Sequence, residues 1–351
     1  MNSNSEENLQ KKELSPPCDL SFGNDGGQPR IVFMGTPAFA SAILQKIVVA
    51  GFRVVACVTK PDQPSGRKMR LVPSPVKETA EQHSIPVLQP QRARDPSFEK
   101  ELRDLSPDLV VTAAYGKILP ESILSIPRHG CLNVHGSLLP RYRGAAPVQW
   151  SLLNGERETG VTLMIMDAGI DTGAVLSAAK VEIPLSMNAE GLMTLLSERG
   201  GELLVSAISP YLKGDLRPVA QTDEGATYAP SIQKEQGLID WEAPALAVHN
   251  QIRGLYTWPG AFTFLDGTRI KIFESLLFLS AADIIREYEE CFGCPEPGTI
   301  LRAASGELIV SCAENTALQI LSLQPQSGRR MQASECAHNF RRGMFFGREE
   351  G

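Results

Sequence analysis

Between Arg30 and His135, short apolar segments alternate with helical segments. Four of the apolar segments have the length and composition of buried strands: RIVFMG (30–35), RVVACVT (53–59), DLVVTAAY (108–115) and CLNVH (131–135). Thr36 and Pro37 are predicted to begin the first helix, with Thr36 as its N-cap, and Gly51 to end it. This alternation predicts a doubly wound, mostly parallel α/β sheet. No GxGxxG motif or Walker-type glycine loop occurs, so the sequence has no dinucleotide fingerprint or phosphate loop.

The pattern of the sequence changes after about residue 212. A long amphipathic helix is predicted from about 188 to 212, and residues 213–240 contain few periodic apolar positions, which indicates a linker. Beyond Trp241, one helical segment precedes short strands separated by glycine turns, a spacing that predicts a small β-barrel, of which an OB-like barrel is one possibility. We therefore expect a disordered extension (1–28), an α/β domain (29–212), a linker (213–240) and a C-terminal barrel domain (241–351).

Composition and charge exclude several classes of protein. No apolar run in the 351 residues approaches the ~20 that a membrane helix needs, and the polar N-terminus lacks the apolar core of a secretory signal. The net charge of −6 argues against indiscriminate nucleic-acid binding. Of the seven cysteines, only Cys291 and Cys294 have the spacing of metal ligands, and no second pair completes a site. We expect a cytoplasmic protein with reduced thiols, no metal and no membrane association.

Polar residues lie at the end of the predicted strand CLNVH. Alternation of side chains places Asn133 and His135 on one face of this strand, at the edge where α/β sheets bind ligands. A second polar segment, MDAGIDTG (166–173), supplies Asp171. An amide donor, a titratable ring and a carboxylate that orients it are the groups that acyl transfer requires. Taken singly, each residue would equally fit a hydrogen-bonded polar group at a strand end or in a turn.

The segments CLNVHGSLLPRYRGAAP (131–147) and MDAGIDTG, in this order, resemble the signature of folate-dependent formyltransferases, and the 36-residue separation of His135 and Asp171 fits. The resemblance covers about residues 30–345 and implies a Rossmann-like formyltransferase sheet with a smaller C-terminal domain. It implies that a formyl group passes from 10-formyltetrahydrofolate to the amino group of methionyl initiator tRNA. Asn133 would then donate to the oxyanion, and His135 would carry a proton or donate to the same oxyanion. Asp171 would hold the imidazole.

The resemblance also implies a folate-binding segment, SLLP, directly after the catalytic strand. It comprises Ser137, Leu138, Leu139 and Pro140. We expect backbone groups of this segment to pair with the edge of the pterin.

A basic insertion, PDQPSGRKMRLVPSPVK (61–77), follows the second predicted strand and exceeds the usual connection of about two to six residues. The resemblance implies that it reaches the acceptor end of tRNA, with Arg67 in the main role and Lys68 and Arg70 beside it. Charge alone would equally fit a solvated basic loop. From residue 211 onward the chain has 13 Lys and Arg against 18 Asp and Glu, a net of −5, which weakens the case for RNA binding by the barrel.

Other functions remain as alternatives. A formyltransferase acting on an amino sugar nucleotide or another small amine would share the three polar residues but lack the long basic insertion. A non-catalytic RNA-binding protein of the same fold would have no need of an intact Asn, His and Asp. A folate hydrolase or dehydrogenase module would bring a further large domain. No obligate protein partner is evident, and we expect a monomer.

Overall fold

The computed structural model describes residues 28–65 and 70–347. The predicted disordered extension therefore lies outside the described residues except for Gln28, as do Arg67 and Lys68, and Arg70 is described only through its backbone.

The N-terminal domain contains, in chain order, β1 (Ile31–Gly35), α1 (Ala38–Val49), β2 (Val54–Val58), β3 (Gln63–Ser65), β4 (Arg70–Val72), α2 (Pro75–Gln82), β5 (Val87–Leu88), α3 (Pro96–Asp104), β6 (Leu109–Ala113), α4 (Glu121–Leu124), β7 (Cys131–His135), α5 (Pro147–Leu153), β8 (Glu158–Ile165), β9 (Val175–Glu182) and α6 (Ala189–Lys213). The rest of the described chain contains a 3₁₀ turn (Lys234–Gly237), α7 (Ala245–Gly254), β10 (Ala261–Leu265), β11 (Thr268–Leu277), α8 (Ala281–Phe292), β12 (Ile300–Ala304), β13 (Glu307–Cys312), β14 (Thr316–Pro325), β15 (Met331–Gln332), α9 (Ala333–Cys336) and a second 3₁₀ turn (Ala337–Asn339).

The first sheet confirms the prediction of a mostly parallel, doubly wound architecture. Its strand order is β5-β2-β1-β6-β7-β8-β9, and β5 through β7 run parallel. The chain moves outward from β1 to β2 and β5 and then returns to β6 on the other side of β1, so the order reverses between β1 and β6. Loops leaving the carboxyl ends of strands beside such a reversal form the usual ligand crevice. Beyond β7 the sheet changes direction, because β8 and β9 are antiparallel to their neighbours.

The central strands β1 and β6 are buried at every position, as expected for strands covered by helices on both faces. One detail of the first turn differs from the prediction. Pro37 is the N-cap of α1 and no side chain caps the helix. The Thr36 hydroxyl donates instead to the Tyr115 carbonyl, 3.2 Å away, and so ties this turn to the loop after β6.

The second sheet is antiparallel, in the order β10-β11-β14-β13-β12, with β15 on β14. The final described segment pairs with both ends of this order, because Gly347 bridges Phe264 in β10 and Phe345 bridges Thr299 next to β12. This joining of the edges is compatible with the predicted OB-like barrel, although the class of barrel remains a prediction. The helix α8 between β11 and β12 was not foreseen. Within the described chain, no helix is long and apolar enough to cross a membrane.

The segment predicted as a linker is attached to the N-terminal domain along much of its length. Val219 forms a two-way backbone pair with Val175 of β9, and both hydrogen bonds measure 2.8 Å. Farther on, the Arg143 amide donates to the Thr227 carbonyl and the Ala229 amide donates to the Arg143 carbonyl. We call residues 214–230 the connector. These contacts place it against the loop that follows β7.

Candidate active site

The structure brings Asn133, His135 and Asp171 together at the carboxyl end of β7. The first two residues lie in this strand, and Asp171 lies in the turn between β8 and β9. Asn133 Nδ2 lies 3.4 Å from Asp171 Oδ1, and His135 Nδ1 lies 3.6 Å from Asp171 Oδ2. One carboxylate therefore faces both the amide and the imidazole.

The two ring nitrogens of His135 have different environments. Nε2 lies 2.8 Å from the Tyr142 carbonyl oxygen, which can only accept, so Nε2 carries a hydrogen. Nδ1 faces Asp171, and the side chain as a whole is 6% exposed. A protonated imidazole donates from both nitrogens, and a neutral one with its hydrogen on Nε2 accepts at Nδ1. The contact with the main chain thus leaves Nδ1 as the nitrogen available for chemistry.

The carbonyl that accepts from His135 is itself fixed in place. Tyr142 has a positive φ of 60°, and its hydroxyl donates to Glu156 at 2.6 Å. Burial, followed by this hydrogen bond, raises the pKa of the Tyr142 hydroxyl. Its backbone amide donates to the Thr227 hydroxyl of the connector at 2.8 Å. The loop after β7 is therefore anchored on both sides of the histidine contact.

Asp171 is held by the same loop. Its Oδ2 accepts the Gly144 amide hydrogen at 2.9 Å, and its backbone has a φ of 53°, in the left-handed region. A side chain at Gly173, two residues later, would collide with the Ile165 carbonyl, so the turn requires glycine there. The carboxylate thus reaches His135 from a tight, strained turn.

Thr112 sets the orientation of the Asn133 amide, a role that the sequence analysis missed. Thr112 pairs with Asn133 across β6 and β7, and its hydroxyl donates to Asn133 Oδ1 at 2.8 Å. Since the amide oxygen is occupied, the NH₂ group points away from the strand and toward Asp171. A signal was present, because Thr112 interrupts the apolar run DLVVTAAY near its carboxyl end.

The SLLP segment follows directly after β7, but many of its polar groups are engaged within the protein. The buried Ser137 hydroxyl donates to the Arg141 carbonyl. Thr162 of β8 binds both the Ser137 carbonyl, at 2.7 Å, and the Leu139 amide, at 3.1 Å. The Pro140 carbonyl accepts from the Thr227 amide of the connector. The exposed parts of Leu138, Leu139 and Pro140 therefore present mainly apolar surface.

The basic insertion forms a hairpin of β3 and β4 whose tip, residues 66–69, lies outside the described residues together with Arg67 and Lys68. At its base, Lys77 Nζ pairs with Asp62 at 2.7 Å. The hydrogen bond from Lys77, with a second from Gln89, lowers the pKa of the Asp62 carboxyl. Lys77 is therefore neutralised within the insertion, and the other positive charges of its sequence belong to Arg67, Lys68 and Arg70.

Two arginines near the end of the C-terminal domain, Arg330 and Arg342, form ion pairs with glutamates. Arg330 Nη2 lies 2.6 Å from Glu274 Oε1, and its guanidinium lies over the rings of Tyr256 and Phe273. Arg342 pairs with Glu287 at 3.5 Å. The charges of these two arginines are thus offset by neighbouring carboxylates.

The cysteine next to the triad in sequence, Cys131, is not activated as a nucleophile. Burial raises the pKa of the Cys131 thiol, in β7, to about 12, so this residue packs as a small apolar side chain. Cys291 and Cys294 lie exposed on and beside α8. In the part of the chain that the structure describes, no three His, Cys, Asp or Glu side chains are grouped to hold a metal ion.

Comparison with known proteins extends over both domains. A family model described as "Formyl transferase" matches residues 29–208, and one described as "Formyl transferase, C-terminal domain" matches residues 231–341. The chain is 47% identical to the methionyl-tRNA formyltransferase of Caldanaerobacter subterraneus over 317 residues, which are 90% of this chain and 98% of that protein.

Two solved structures share the fold. HypX from Aquifex aeolicus, in complex with tetrahydrofolic acid, has a TM-score of 0.60 at 16% identity and covers 88% of this chain and 47% of its own. An N-formyltransferase from Helicobacter canadensis, in complex with folinic acid and dTDP-3-aminofucose, has a TM-score of 0.60 at 19% identity and covers 84% and 99%. At these identities the likeness concerns the fold alone.

Proposed function

Because the chain belongs to the formyl transferase family, we propose that it transfers the formyl group of 10-formyltetrahydrofolate to the amino group of methionyl initiator tRNA. The observation that carries this proposal is the 47% identity to a methionyl-tRNA formyltransferase over nearly the full length of both chains. The arrangement of Asn133, His135 and Asp171 supports it, because these three groups meet the needs of amide-forming acyl transfer.

Asn133 is the oxyanion donor in this proposal. When the amine attacks the formyl carbon, a C–N bond forms and negative charge develops on the formyl oxygen. A donor that is already oriented stabilises this charge without reorganisation. The Thr112 hydroxyl provides the orientation, because it occupies the amide oxygen of Asn133 and leaves the NH₂ group free to donate.

His135 acts through Nδ1, with Asp171 behind it. The attacking amine must lose a proton, and N10 of the folate must gain one when its bond to the formyl carbon breaks. Nδ1 is the ring nitrogen that is free to relay this proton, because Nε2 donates to the Tyr142 carbonyl. In the imidazolium form the same Nδ1–H can donate to the oxyanion, and Asp171 stabilises the charge in either role.

Folate binding is supported by one exposed apolar side chain beside Asp171 and another in the loop after β6. Ile170, next to Asp171, is 58% exposed, and Ile118, in the loop after β6, is 71% exposed. Exposed aliphatic side chains beside a few fixed polar groups suit a flat heteroaromatic ligand. We propose that Leu138, Leu139 and Pro140 contribute shape and apolar contact to this pocket, and that the buried Ser137 holds the segment in place through its hydrogen bond to the Arg141 carbonyl.

Recognition of tRNA is assigned to the basic hairpin, through Arg67, Lys68 and Arg70. Arginine suits this role because its planar fork binds phosphate oxygens and base edges with two hydrogen bonds. Pairing of Lys77 with Asp62 supports the assignment, because it keeps the base of the hairpin neutral and leaves positive charge toward the tip. The C-terminal domain assists with a smaller contribution, in line with its paired arginines.

The test is transfer of labelled formyl from 10-formyltetrahydrofolate to three acceptors. These are methionine-charged initiator tRNA, charged elongator tRNA and an aminated sugar nucleotide. We expect selective labelling of the initiator tRNA. Labelling of the sugar nucleotide with no labelling of tRNA would overturn the proposal and move the substrate to a small amine. Binding of tRNA with no transfer to any acceptor would favour an RNA-binding protein of the same fold.

We further propose a monomeric, cytoplasmic enzyme that works without a metal. The thiols of Cys57, Cys131, Cys312 and Cys336 are free and buried, which fits a reducing compartment. Light scattering should give a particle mass near 38.1 kDa. A mass of twice that value would contradict the monomer, and loss of transfer in the presence of a chelator would contradict the absence of a metal.

A further inference from the structure

The connector touches the turn that carries Asp171 as well as the loop after β7. Gln221 lies in this connector, and its side-chain Nε2 donates to two main-chain carbonyls, that of Asp171 at 3.0 Å and that of Gly173 at 2.6 Å. These carbonyls belong to the left-handed turn that aims the Asp171 carboxylate at His135.

The amide of Gln221 is fully used, which fixes its orientation. Its Oε1 accepts from Arg143 Nε at 3.2 Å and from Arg143 Nη2 at 3.0 Å. Two N–H groups meet two carbonyl acceptors and the oxygen meets two guanidinium donors, so a flipped amide would oppose like groups on both sides. A carboxylate of the same shape would keep the contacts to Arg143 but place an oxygen against the Asp171 and Gly173 carbonyls.

Arg143 is the fixed point of this arrangement. Its side chain is 2% exposed, and beyond Gln221 its guanidinium pairs with Asp223 at 2.9 Å. Its backbone amide and carbonyl bind Thr227 and Ala229 in the connector. The next residue, Gly144, donates its amide hydrogen to Asp171 Oδ2. Arg143 and Gln221 thus connect the main chain of the Asp171 turn to the loop that receives its carboxylate.

Building on the proposed function, we propose that Gln221, supported by Arg143, is a positioning residue for formyl transfer. It holds the Asp171 turn so that the carboxylate faces His135 Nδ1. Gln221 makes no hydrogen bond to the Asp171 carboxylate or to the His135 ring, so it acts through the main-chain carbonyls of Asp171 and Gly173. Through Gln221, one residue of the connector thus supports the active site from outside it.

The test compares Gln221→Glu with the wild-type full-length enzyme in the formyl transfer assay. We expect kcat to fall about 10-fold or more, while KM for 10-formyltetrahydrofolate and for methionyl-tRNA stays within about 2-fold, because the change affects chemistry and leaves both binding surfaces intact. Glu224→Gln is the matched control, since it makes the reverse isosteric exchange at an exposed position of the same connector. It should behave as wild type.

A double-mutant cycle with Asp171→Asn separates positioning from general damage to the fold. If Gln221 acts through Asp171, then Gln221→Glu should cost less than about 2-fold in kcat when Asp171 is already replaced. Equal losses in both backgrounds would overturn the proposal, as would a change confined to KM.

Amide hydrogen exchange tests the same proposal without any assay of activity. Gln221→Glu should speed exchange of the Gly144 amide, which donates to Asp171 Oδ2, and leave amides of the C-terminal sheet unchanged. Unchanged protection of Gly144 would overturn the positioning role even if the wild-type protein transferred no formyl group. Absence of wild-type transfer with faster Gly144 exchange would instead refute only the proposed function.

Discussion

Charged side chains are held in different ways at the candidate active site and on the surface of the C-terminal domain. At the candidate active site, the Asp171 carboxylate accepts a backbone hydrogen from Gly144. In the C-terminal domain, Arg302, Arg330 and Arg342 pair with glutamate side chains that are between 37% and 57% exposed. Contacts to buried main chain fix the position of a charge, whereas exposed ion pairs contribute about 0–1 kcal/mol and weaken with salt. A carboxylate held by main-chain hydrogen bonds keeps the fixed position that catalysis requires. Exposed ion pairs leave the side chains free to exchange partners on a surface.

The largest effect should follow loss of the imidazole. His135→Ala should lower kcat by ~10² or more with an unchanged fold, because it removes the group that moves the proton or donates to the oxyanion. Steady-state transfer of labelled formyl measures it, and circular dichroism checks the fold. His83→Ala, at an exposed position, is the control. A folded His135→Ala enzyme with a wild-type rate would remove His135 from the mechanism.

A smaller effect is expected from Thr112→Val, which keeps the shape of the side chain and removes the hydrogen bond to Asn133. The freed amide can rotate, so kcat should fall about 10-fold, less than the ~10²–10³ that loss of an oxyanion donor costs. Thr268→Val, on an exposed strand position of the C-terminal domain, should leave kcat unchanged. If Thr112→Val raised only KM, the orienting role of Thr112 would be wrong.

Arg67→Ala should raise KM for methionyl-tRNA several-fold, about 5- to 10-fold, and leave binding of folinic acid intact. The lost interaction is an electrostatic contact with RNA, so KM of the wild type should rise more steeply with salt than KM of the variant, and the difference between them should shrink. Titration of KM against salt concentration measures this. The same KM for the variant and the wild type at low salt would remove the hairpin from RNA recognition.

The smallest effect concerns stability at the contact between the domains. His249 in α7 is buried between the Ser275 hydroxyl and the Leu185 carbonyl, and burial lowers its pKa. Below a pH of about 6.5, His249 binds a proton in the unfolded chain but stays neutral in the folded protein. The free energy of unfolding should therefore decrease as the pH is lowered, by at most about 1.4 kcal/mol per pH unit.

Urea denaturation between pH 7.5 and 5.5 measures this dependence. The loss of stability should continue until the pH falls below the lowered pKa of His249 in the folded protein. His249→Gln cannot titrate and should lose less stability over the same range. Identical slopes for the variant and the wild type would contradict a neutral buried imidazole at the contact between the domains.

The sequence predicted the first sheet and brought out the three polar residues, because both depend on local periodicity and on motif spacing. CLNVH became β7, and DLVVTAAY contains β6. The partners of Thr112 and Gln221 could not be predicted, since each contact crosses the fold, that of Gln221 over 50 residues; the sequence signalled Thr112 only as a polar break in an apolar run. The attachment of the predicted linker to the N-terminal domain could not be read from the sequence for the same reason. A segment with little periodicity can still be fixed by hydrogen bonds to a distant loop.

The role of Thr36 shows how tertiary contacts override a local motif. A threonine before a proline is a good N-cap pattern, but the hydroxyl binds the Tyr115 carbonyl on the neighbouring loop instead. The class of the C-terminal barrel, the exact extent of the domains and the folate contacts of SLLP stay predictions.

The most direct test of the separation between chemistry at the triad and tRNA recognition by the basic insertion is the single-turnover rate of formyl transfer, measured against methionyl-tRNA concentration for the wild type, His135→Ala and Arg67→Ala side by side. We predict that His135→Ala lowers the plateau by ~10² or more at an unchanged midpoint. Arg67→Ala should move the midpoint and leave the plateau unchanged. If both variants lowered the plateau, or both moved the midpoint, chemistry and RNA recognition would not be separated in this molecule as we describe.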